Sequence, residues 1–265
     1  MSTIKVVTIN IFSDLSLWNR RKALLLRELA LLKPDLIALQ EVSLQEKNAH
    51  WLANELGFPE VFVSPKTGKA GRKEGIAILS RLPFERAETL DLRTQHRVAQ
   101  YVLPQLEGEQ LAFVNGHFFW QPGDSPERLA QIELLLNWLE RIPGDPPVVV
   151  CGDFNATPES QSVRKMLTRF GSAYAVRHGR EPEYTTPTPL PRSKRKLLVT
   201  LITYLRYIRI SEIRLNWRGT LDYIFVGPRI VVQDSSLVLN RPDPVDPKIY
   251  PSDHFGLSAT LELND

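Results

Sequence analysis

The chain has 265 residues, of which 43% are hydrophobic and 24% charged, a composition typical of a folded globular protein that excludes a mainly disordered chain. Its single cysteine, Cys151, excludes an internal disulfide framework and a zinc site built from cysteines. The formal net charge is +3, but eight basic residues and one acidic residue lie between Pro187 and Arg218, so this segment carries +7 and the rest of the chain −4. A basic surface over the whole protein is therefore not expected.

The N-terminal half of the sequence predicts strands that alternate with helices. β-Branched or short apolar runs indicate strands, and leucines at helical spacing indicate helices. The predicted strands cover 5–11, 35–40 and 75–79, and the predicted helices cover 20–32 and 49–56. Gly57 follows the second helix and suits its C-terminal cap.

Farther along the chain the predicted strands first cluster and then alternate with a helix again. They cover 99–103, 111–114, 147–151, 220–226 and 257–263. A helix is predicted over 125–140, with Ser125 as its N-cap and Pro126 at its first position. Neither an internal repeat nor a long linker divides the chain. We therefore expect one layered α/β or α+β domain over residues 1–265.

The N-terminal segment predicts where the protein resides. It lacks the charged region and long apolar run of a secretory signal. No stretch approaches the roughly 20 apolar residues that a membrane-spanning helix needs. We therefore expect the protein in a reducing cytoplasm. No protein partner can be inferred from the sequence.

Several apolar strands run directly into a carboxylate, an amide or an imidazole. Glu41, His117 and the Asp153–Asn155 run each follow such a strand, Asp222 opens one, and the pair Asp253-His254 precedes another. Each junction alone has an ordinary explanation, such as a helix cap or a turn. Asp222, for example, could form an ion pair with a nearby arginine such as Arg218. Five such junctions in one chain favour a functional site held at the strand ends.

The motifs at these junctions resemble a known family. TINIF, LQEVS, GIAILSR, NGHFF, CGDFNATPES, LDYIFVG and PSDHFGL occur in the order found in the endonuclease/exonuclease/phosphatase superfamily. This group includes deoxyribonucleases, AP endonucleases, deadenylases, neutral sphingomyelinases and inositol polyphosphate 5-phosphatases. The resemblance spans residues 8 to about 263. It implies a four-layer sandwich of two mixed β-sheets flanked by helices, with the site at one end.

The resemblance also implies a metal site. The glutamate of the QE motif, here Glu41, would bind Mg²⁺ or Mn²⁺. Asn10 would support the metal or the phosphate of the substrate, and Asp253 would complete the metal shell. Carboxylate, amide and water oxygens are the ligands that such hard cations prefer. Glu74 stands where the deoxyribonuclease branch has a glutamate that supports a histidine, here His117. A solvated surface acid is an equally good explanation of Glu74.

The catalytic roles follow from the same resemblance. His254 matches the family's catalytic imidazole, and Asp222 would orient it and favour its charged form. Asp153 would position or deprotonate the attacking water, and Asn155 would hold a phosphate oxygen. His117 would contact phosphate or protonate the leaving group. The implied reaction is attack of water on a phosphate ester.

The substrate is less well defined than the reaction. The arrangement of motifs favours phosphodiester bonds in nucleic acid, by endo- or exonuclease-like cleavage. A basic apolar insert at about 187–218 leaves open a phospholipid phosphodiesterase of sphingomyelinase type, with peripheral membrane contact through 192–210. A phosphomonoesterase is the second alternative. A non-catalytic binding module is the least expected, because no acid, amide or histidine of the motifs is missing.

Overall fold

A computed structural model describes residues 3–106, 108–191, 193, 198 and 217–264. Most of the predicted insert at 187–218, including nearly all of the predicted membrane contact at 192–210, lies outside the described residues. Among the residues that are described, no helix is both long and apolar enough to span a bilayer.

Strands provide both inner layers of the fold. In chain order they are β1 (Thr3–Asn10), β2 (Leu36–Ser43), β3 (Glu60–Pro65), β4 (Glu74–Ser80), β5 (Phe84–Asp91), β6 (Val98–Leu106), β7 (Glu109–Gln110), β8 (Ala112–His117), β9 (Val148–Asp153), β10 (Gly171–Ser172), β11 (Asp222–Val226), β12 (Ile230–Val238) and β13 (Gly256–Leu263). One sheet has the order β12-β13-β1-β2-β4-β3, and the other has the order β10-β11-β9-β8-β6-β5, with β7 paired to β6. Both sheets are mixed, because β1–β2 and β8–β9 are parallel pairs and the other pairs are antiparallel.

Helices form the two outer layers. These layers contain α1 (Trp18–Leu32), α2 (Asn48–Leu56), α3 (Pro126–Leu139) and α4 (Gln161–Leu167). The short helix α5 (Ala173–His178) instead packs against β11 and β12, with Ala173 in the cluster between the sheets. The expected caps are present: Ser125 accepts a hydrogen bond from the backbone N–H of Arg128, and Gly57 ends α2 in the left-handed conformation. The strands β3, β5, β10 and β12 and the helices α4 and α5 were not expected from the sequence.

Three apolar clusters separate the four layers. The cluster between the sheets contains residues of both, such as Val6 of β1 and Ile224 of β11. A second cluster packs α1 and α2 on the first sheet, and a third packs α3 and α4 on the second sheet. The order is therefore helices, sheet, sheet, helices, as the resemblance implied. Burying apolar area at three interfaces is the main favourable term for such a fold.

The strand directions bring the polar junctions to one end of the sandwich. β1, β2, β8 and β9 all end at this edge, since each parallel pair runs toward it. β11 is antiparallel to β9 and starts here, with Asp222 opposite Asp153. Glu74 at the start of β4 lies opposite Ser43 near the end of β2. The topology therefore gathers residues that are far apart in the sequence.

Candidate active site

The polar edge contains two groups of side chains with closely spaced donor atoms. In each group one donor atom per residue lies within 4.8 Å of the others. We call Asp153, Asp222 and His254 the dyad cluster, and Glu41, Glu74 and His117 the ligand cluster. The two clusters adjoin, because His117 Nε2 lies 3.4 Å from Asp153 Oδ2. Asp253, predicted to bind metal, belongs to neither group, so its role stays a prediction.

A hydrogen bond joins two members of the dyad cluster, His254 and Asp222. Nδ1 of His254 lies 2.8 Å from Oδ2 of Asp222, and both residues are buried. Burial alone would lower the pKa of His254, but the charge and hydrogen bond of Asp222 raise it to about 10. His254 therefore carries a positive charge at neutral pH and donates its Nδ1 proton to Asp222. Arg218, the alternative partner for Asp222, stacks on the ring of Tyr184 instead.

Two asparagines hold the third member of the dyad cluster, Asp153. Its Oδ1 accepts a hydrogen bond from the backbone N–H of Asn155 at 2.9 Å, and its Oδ2 accepts one from Nδ2 of Asn10 at 3.0 Å. Burial raises the pKa of Asp153 to about 6, against the charge of His254, which lowers it. A carboxylate with a pKa near neutrality is suited to accept a proton.

The amides of the two asparagines are themselves engaged by the protein. Oδ1 of Asn10 accepts a hydrogen bond from the backbone N–H of Phe12, and Nδ2 of Asn155 donates to the carbonyl oxygen of Phe118. Asn155 also has a left-handed backbone, with φ of 50°. Both residues thus orient Asp153. Their predicted contacts with metal or phosphate stay predictions.

Close approach of β8 and β9 positions His117 beside Asp153. The two residues are register partners across this parallel pair. Gly152 has a φ of +143°, and a β-carbon at this position would collide with the carbonyl oxygen of Gly116. Only glycine fits here, which explains the glycine that precedes Asp153 in the GDFN motif.

A strained turn in β2 presents Glu41 of the ligand cluster. The pairing of β2 with β4 is interrupted between Leu39 and Val42, and Glu41 has a φ of +58°. A bulge of this kind redirects a side chain at a sheet end. Oε2 of Glu41 accepts a hydrogen bond from the backbone N–H of Ser13 at 2.7 Å. The expected carboxylate is therefore held in place by two neighbouring strand ends.

A buried polar contact between the sheets supports this bulge. Nδ2 of Asn115, on β8, donates to the carbonyl oxygens of Leu39 and Ala77 at 3.0 and 2.9 Å. Its Oδ1 accepts a hydrogen bond from Nε2 of Gln40 at 2.8 Å. Asn115 and Gln40 are fully buried. The second sheet thus fixes the backbone that precedes Glu41 in the first.

His117 is held as a neutral imidazole. Nη1 of Arg97 lies 2.6 Å from Nε2 of His117, so the guanidinium donates to this nitrogen. Burial lowers the pKa of His117 well below its usual value, and the charges of Arg97 and Lys66 lower it further. A neutral His117 that accepts from Arg97 is poorly suited to the predicted protonation of a leaving group. Glu74 adjoins it as expected and forms an ion pair with Lys66.

Three residues of the site were not predicted from the sequence. Arg97 and Lys66 lie in loops beside β6 and β3, and no local pattern distinguishes them from solvated surface cations. Thr185 donates its hydroxyl to Oδ2 of Asp222 at 2.6 Å and is fully buried. Its position in the Thr-Thr-Pro turn was the only local signal. Long-range contacts, rather than local pattern, bring these three residues to the site.

Comparison with known proteins identifies the family. Residues 7–254 match the model of the Endonuclease/Exonuclease/phosphatase family. The chain belongs to this family. It is similar to Nocturnin of Xenopus laevis, with 25% identity over 278 residues that cover 94% of this chain and 66% of that protein. The chain thus spans slightly less than two thirds of that relative.

Solved structures of the Endonuclease/Exonuclease/phosphatase fold superpose on nearly the whole chain. The human Nocturnin catalytic domain with bound sulfate has a TM-score of 0.77 and 24% identity, covering 99% of this chain and 94% of that one. D. rerio TDP2 complexed with a single strand DNA product has a TM-score of 0.76 and 19% identity, covering 99% and 100%. These likenesses establish the shared four-layer fold.

The ligand cluster fits the divalent cation on which enzymes of the Endonuclease/Exonuclease/phosphatase family generally depend. It offers two carboxylates and an imidazole nitrogen within 4.8 Å of one another. Because Nε2 of His117 accepts a hydrogen bond from Arg97, the neutral ring carries its proton on Nδ1, which is buried and has no hydrogen-bond partner among the described residues. The two carboxylates, of Glu41 and Glu74, are ligands that Mg²⁺ and Mn²⁺ prefer, and the imidazole lies beside them.

Proposed function

We propose that the protein is a divalent-metal-dependent hydrolase that cleaves phosphodiester bonds, with nucleic acid as the substrate class. The single observation that carries the proposal is the buried 2.8 Å pair of Asp222 and His254 beside a carboxylate held by two asparagines. An oriented imidazolium next to a proton-accepting carboxylate is a combination of catalytic groups that hydrolases use. Membership of the Endonuclease/Exonuclease/phosphatase family supports it.

The residues of the dyad cluster take separate roles in this proposal. Asp153 accepts a proton from the attacking water as the water oxygen bonds to phosphorus. His254, charged and fixed by Asp222, stabilises the negative charge that develops on the phosphoryl oxygens as the bond to the leaving oxygen breaks. Thr185 fixes Asp222 in turn. Preorganised hydrogen bonds in a buried site supply most of the acceleration.

The ligand cluster would hold the cation. A divalent cation bound by Glu41, with Glu74 and His117 beside it, would polarise the phosphoryl group. We propose Mg²⁺ or Mn²⁺, because oxygen donors predominate in the cluster. Arg97 keeps the side chain of His117 oriented by its contact with Nε2.

The surface beside the dyad cluster supports nucleic acid over other phosphodiesters. Trp217 is 37% exposed, and the guanidinium of Arg218 lies 4.7 Å from the centre of the Tyr184 ring. Tyr184 precedes Thr185, the partner of Asp222. An exposed tryptophan, near a partly buried tyrosine that carries an arginine on its ring, suits the stacking of nucleic-acid bases. A TDP2 structure of the same fold holds a single strand DNA product.

A panel of substrates tests the proposal. With Mg²⁺ or Mn²⁺, the protein should hydrolyse bis-p-nitrophenyl phosphate and single-stranded DNA or RNA, and EDTA should abolish the activity. His254→Ala and Asp153→Asn should each lower the rate at least about 10²-fold. His50→Ala, an exposed histidine on α2, is the matched control and should leave the rate unchanged.

Other results of the same panel would contradict parts of the proposal. Hydrolysis of p-nitrophenyl phosphate alone would replace the phosphodiesterase by a phosphomonoesterase. Hydrolysis of sphingomyelin vesicles in preference to DNA and RNA would replace nucleic acid by a phospholipid. Full activity of His254→Ala would remove the dyad cluster from the reaction.

A further inference from the structure

Two buried cations stand beside the ligand cluster. Arg97 is 8% exposed, and its side chain reaches Nε2 of His117 through Nη1, while its Nε has no hydrogen-bond partner among the described residues. The side chain of Lys66 is 14% exposed and forms an ion pair with Glu74. Neither cation is used by the dyad cluster.

These two cations lie close to each other and to the acids Glu41 and Glu74. Burial lowers the pKa of Lys66, and the positive charge of Arg97 lowers it further. Glu74 and Glu41 offset the two cations, so a divalent ion bound in the ligand cluster would leave this region with an excess of positive charge. Buried like charges cost free energy unless opposite charge is bound with them. A guanidinium with an unused N–H is a preferred partner for phosphoryl oxygens.

We propose that Arg97 and Lys66 form an anion site for a phosphoryl group of the substrate, on the side of the ligand cluster away from Asp222. The inference rests on the proposed function and deepens it. His117 Nε2 lies 2.6 Å from Nη1 of Arg97 and 3.4 Å from Oδ2 of Asp153, so one imidazole separates this site from the dyad cluster. The bound group is either the phosphoryl group that is cleaved or a neighbouring phosphate of the same substrate.

Calorimetric titration of inorganic phosphate into the full chain with Mg²⁺ tests the site without catalysis. Arg97→Gln should weaken phosphate binding at least about 10-fold, since a charge-assisted hydrogen bond is lost. Arg97→Lys, which keeps the charge, should fall between wild type and Arg97→Gln. Arg169→Gln, at an exposed arginine paired with Glu140, is the matched control and should bind like wild type.

Kinetics on two substrates distinguish the sources of the phosphoryl group. Bis-p-nitrophenyl phosphate carries one phosphoryl group, and a 5′-phosphorylated thymidine dinucleotide carries two. If the site holds the cleaved group, Arg97→Gln lowers kcat on both substrates. If it holds a neighbouring phosphate, Arg97→Gln raises KM on the dinucleotide alone. Wild-type phosphate affinity together with wild-type kinetics on both substrates would overturn the site.

The same titration separates failure of the site from failure of the proposed function. Phosphate binding that depends on Arg97, in a protein that hydrolyses no substrate, would retain the anion site and reject the hydrolase. Thermal melting checks that each variant folds. If Arg97→Gln does not fold, Lys66→Gln takes its place, and unchanged phosphate affinity in that variant would overturn the site.

Discussion

The two clusters of the candidate active site differ in how many of their polar side chains are hydrogen-bonded by the protein itself. In the dyad cluster, Asp222 binds both His254 and Thr185, and Asp153 accepts hydrogen bonds from Asn10 and Asn155. In the ligand cluster, one donor atom from each of two carboxylates and an imidazole lies within 4.8 Å of the others, and Nδ1 of His117 has no hydrogen-bond partner among the described residues.

This difference separates what the fold prepares from what a ligand must supply. The dyad cluster is orientated by the protein alone, so its chemistry is available as soon as the chain folds. The ligand cluster instead brings metal-binding side chains together at a strained turn, with Glu41 at a φ of +58°, and a bound cation would join them. Changes in the first cluster should therefore be insensitive to metal concentration, and changes in the second should depend on it.

The largest expected effect is at Asp222. Asp222→Asn keeps the shape of the side chain but removes the negative charge that fixes and charges His254. We expect kcat to fall about 10²- to 10⁴-fold with the fold retained. Steady-state rates at rising Mg²⁺ measure it. Recovery of the rate at high Mg²⁺ would contradict the claim that the dyad cluster acts independently of the metal concentration.

A smaller effect is expected at the contact between the sheets. Asn115→Leu leaves the buried carbonyls of Leu39 and Ala77 without their donor, which should lower the free energy of unfolding by about 1 to 3 kcal/mol. Because this contact supports the bulge before Glu41, divalent-cation affinity should fall as well. Urea unfolding and Mn²⁺ titration measure the two effects. Asn137→Leu, at an exposed position of α3, is the control, and equal losses in both variants would contradict the assignment.

The smallest effect is a pH dependence of stability. The pKa of His254 is raised to about 10 in the folded protein, so its charged form stabilises the fold fully below about 6.5, and this contribution is lost as pH rises through 10. Between pH 7 and pH 10.5, wild type should lose at least about 1 kcal/mol more stability than His254→Asn. Urea unfolding of both proteins tests it. Parallel pH curves would mean that Asp222 does not hold a charged histidine.

The sequence predicted the centre of the fold better than its margins. Central strands such as β1, β2 and β9 are continuous apolar runs, because both of their faces are buried. The strands that were not predicted, β3, β5, β10 and β12, are the edges of the two sheets, where partial exposure weakens the apolar pattern. The helices α4 and α5 have 7 and 6 residues, too few for a clear helical period.

For the site, the sequence predicted residues but not their contacts. Asp222 and His254 lie next to strand ends and belong to sequence motifs, so both were recognisable as site residues. The donation from Asn10 to Asp153 joins residues 143 positions apart, and the contact of Arg97 with His117 depends on the β6–β8 pairing. Such contacts follow from the topology of the sheets, which local patterns do not specify. Arg97 and Lys66 therefore emerged only with the structure.

The central claim is that the two clusters form two parts of one phosphodiesterase site. Mn²⁺ titration of two variants tests it most directly, with hydrolysis of bis-p-nitrophenyl phosphate measured on the same samples. Glu41→Gln should lose Mn²⁺ affinity at least about 10-fold and lose activity with it, since a charged ligand becomes neutral. His254→Ala should bind Mn²⁺ like wild type and still lose at least about 10²-fold in rate. Full hydrolysis by either variant, or wild-type Mn²⁺ affinity in Glu41→Gln, would contradict the account.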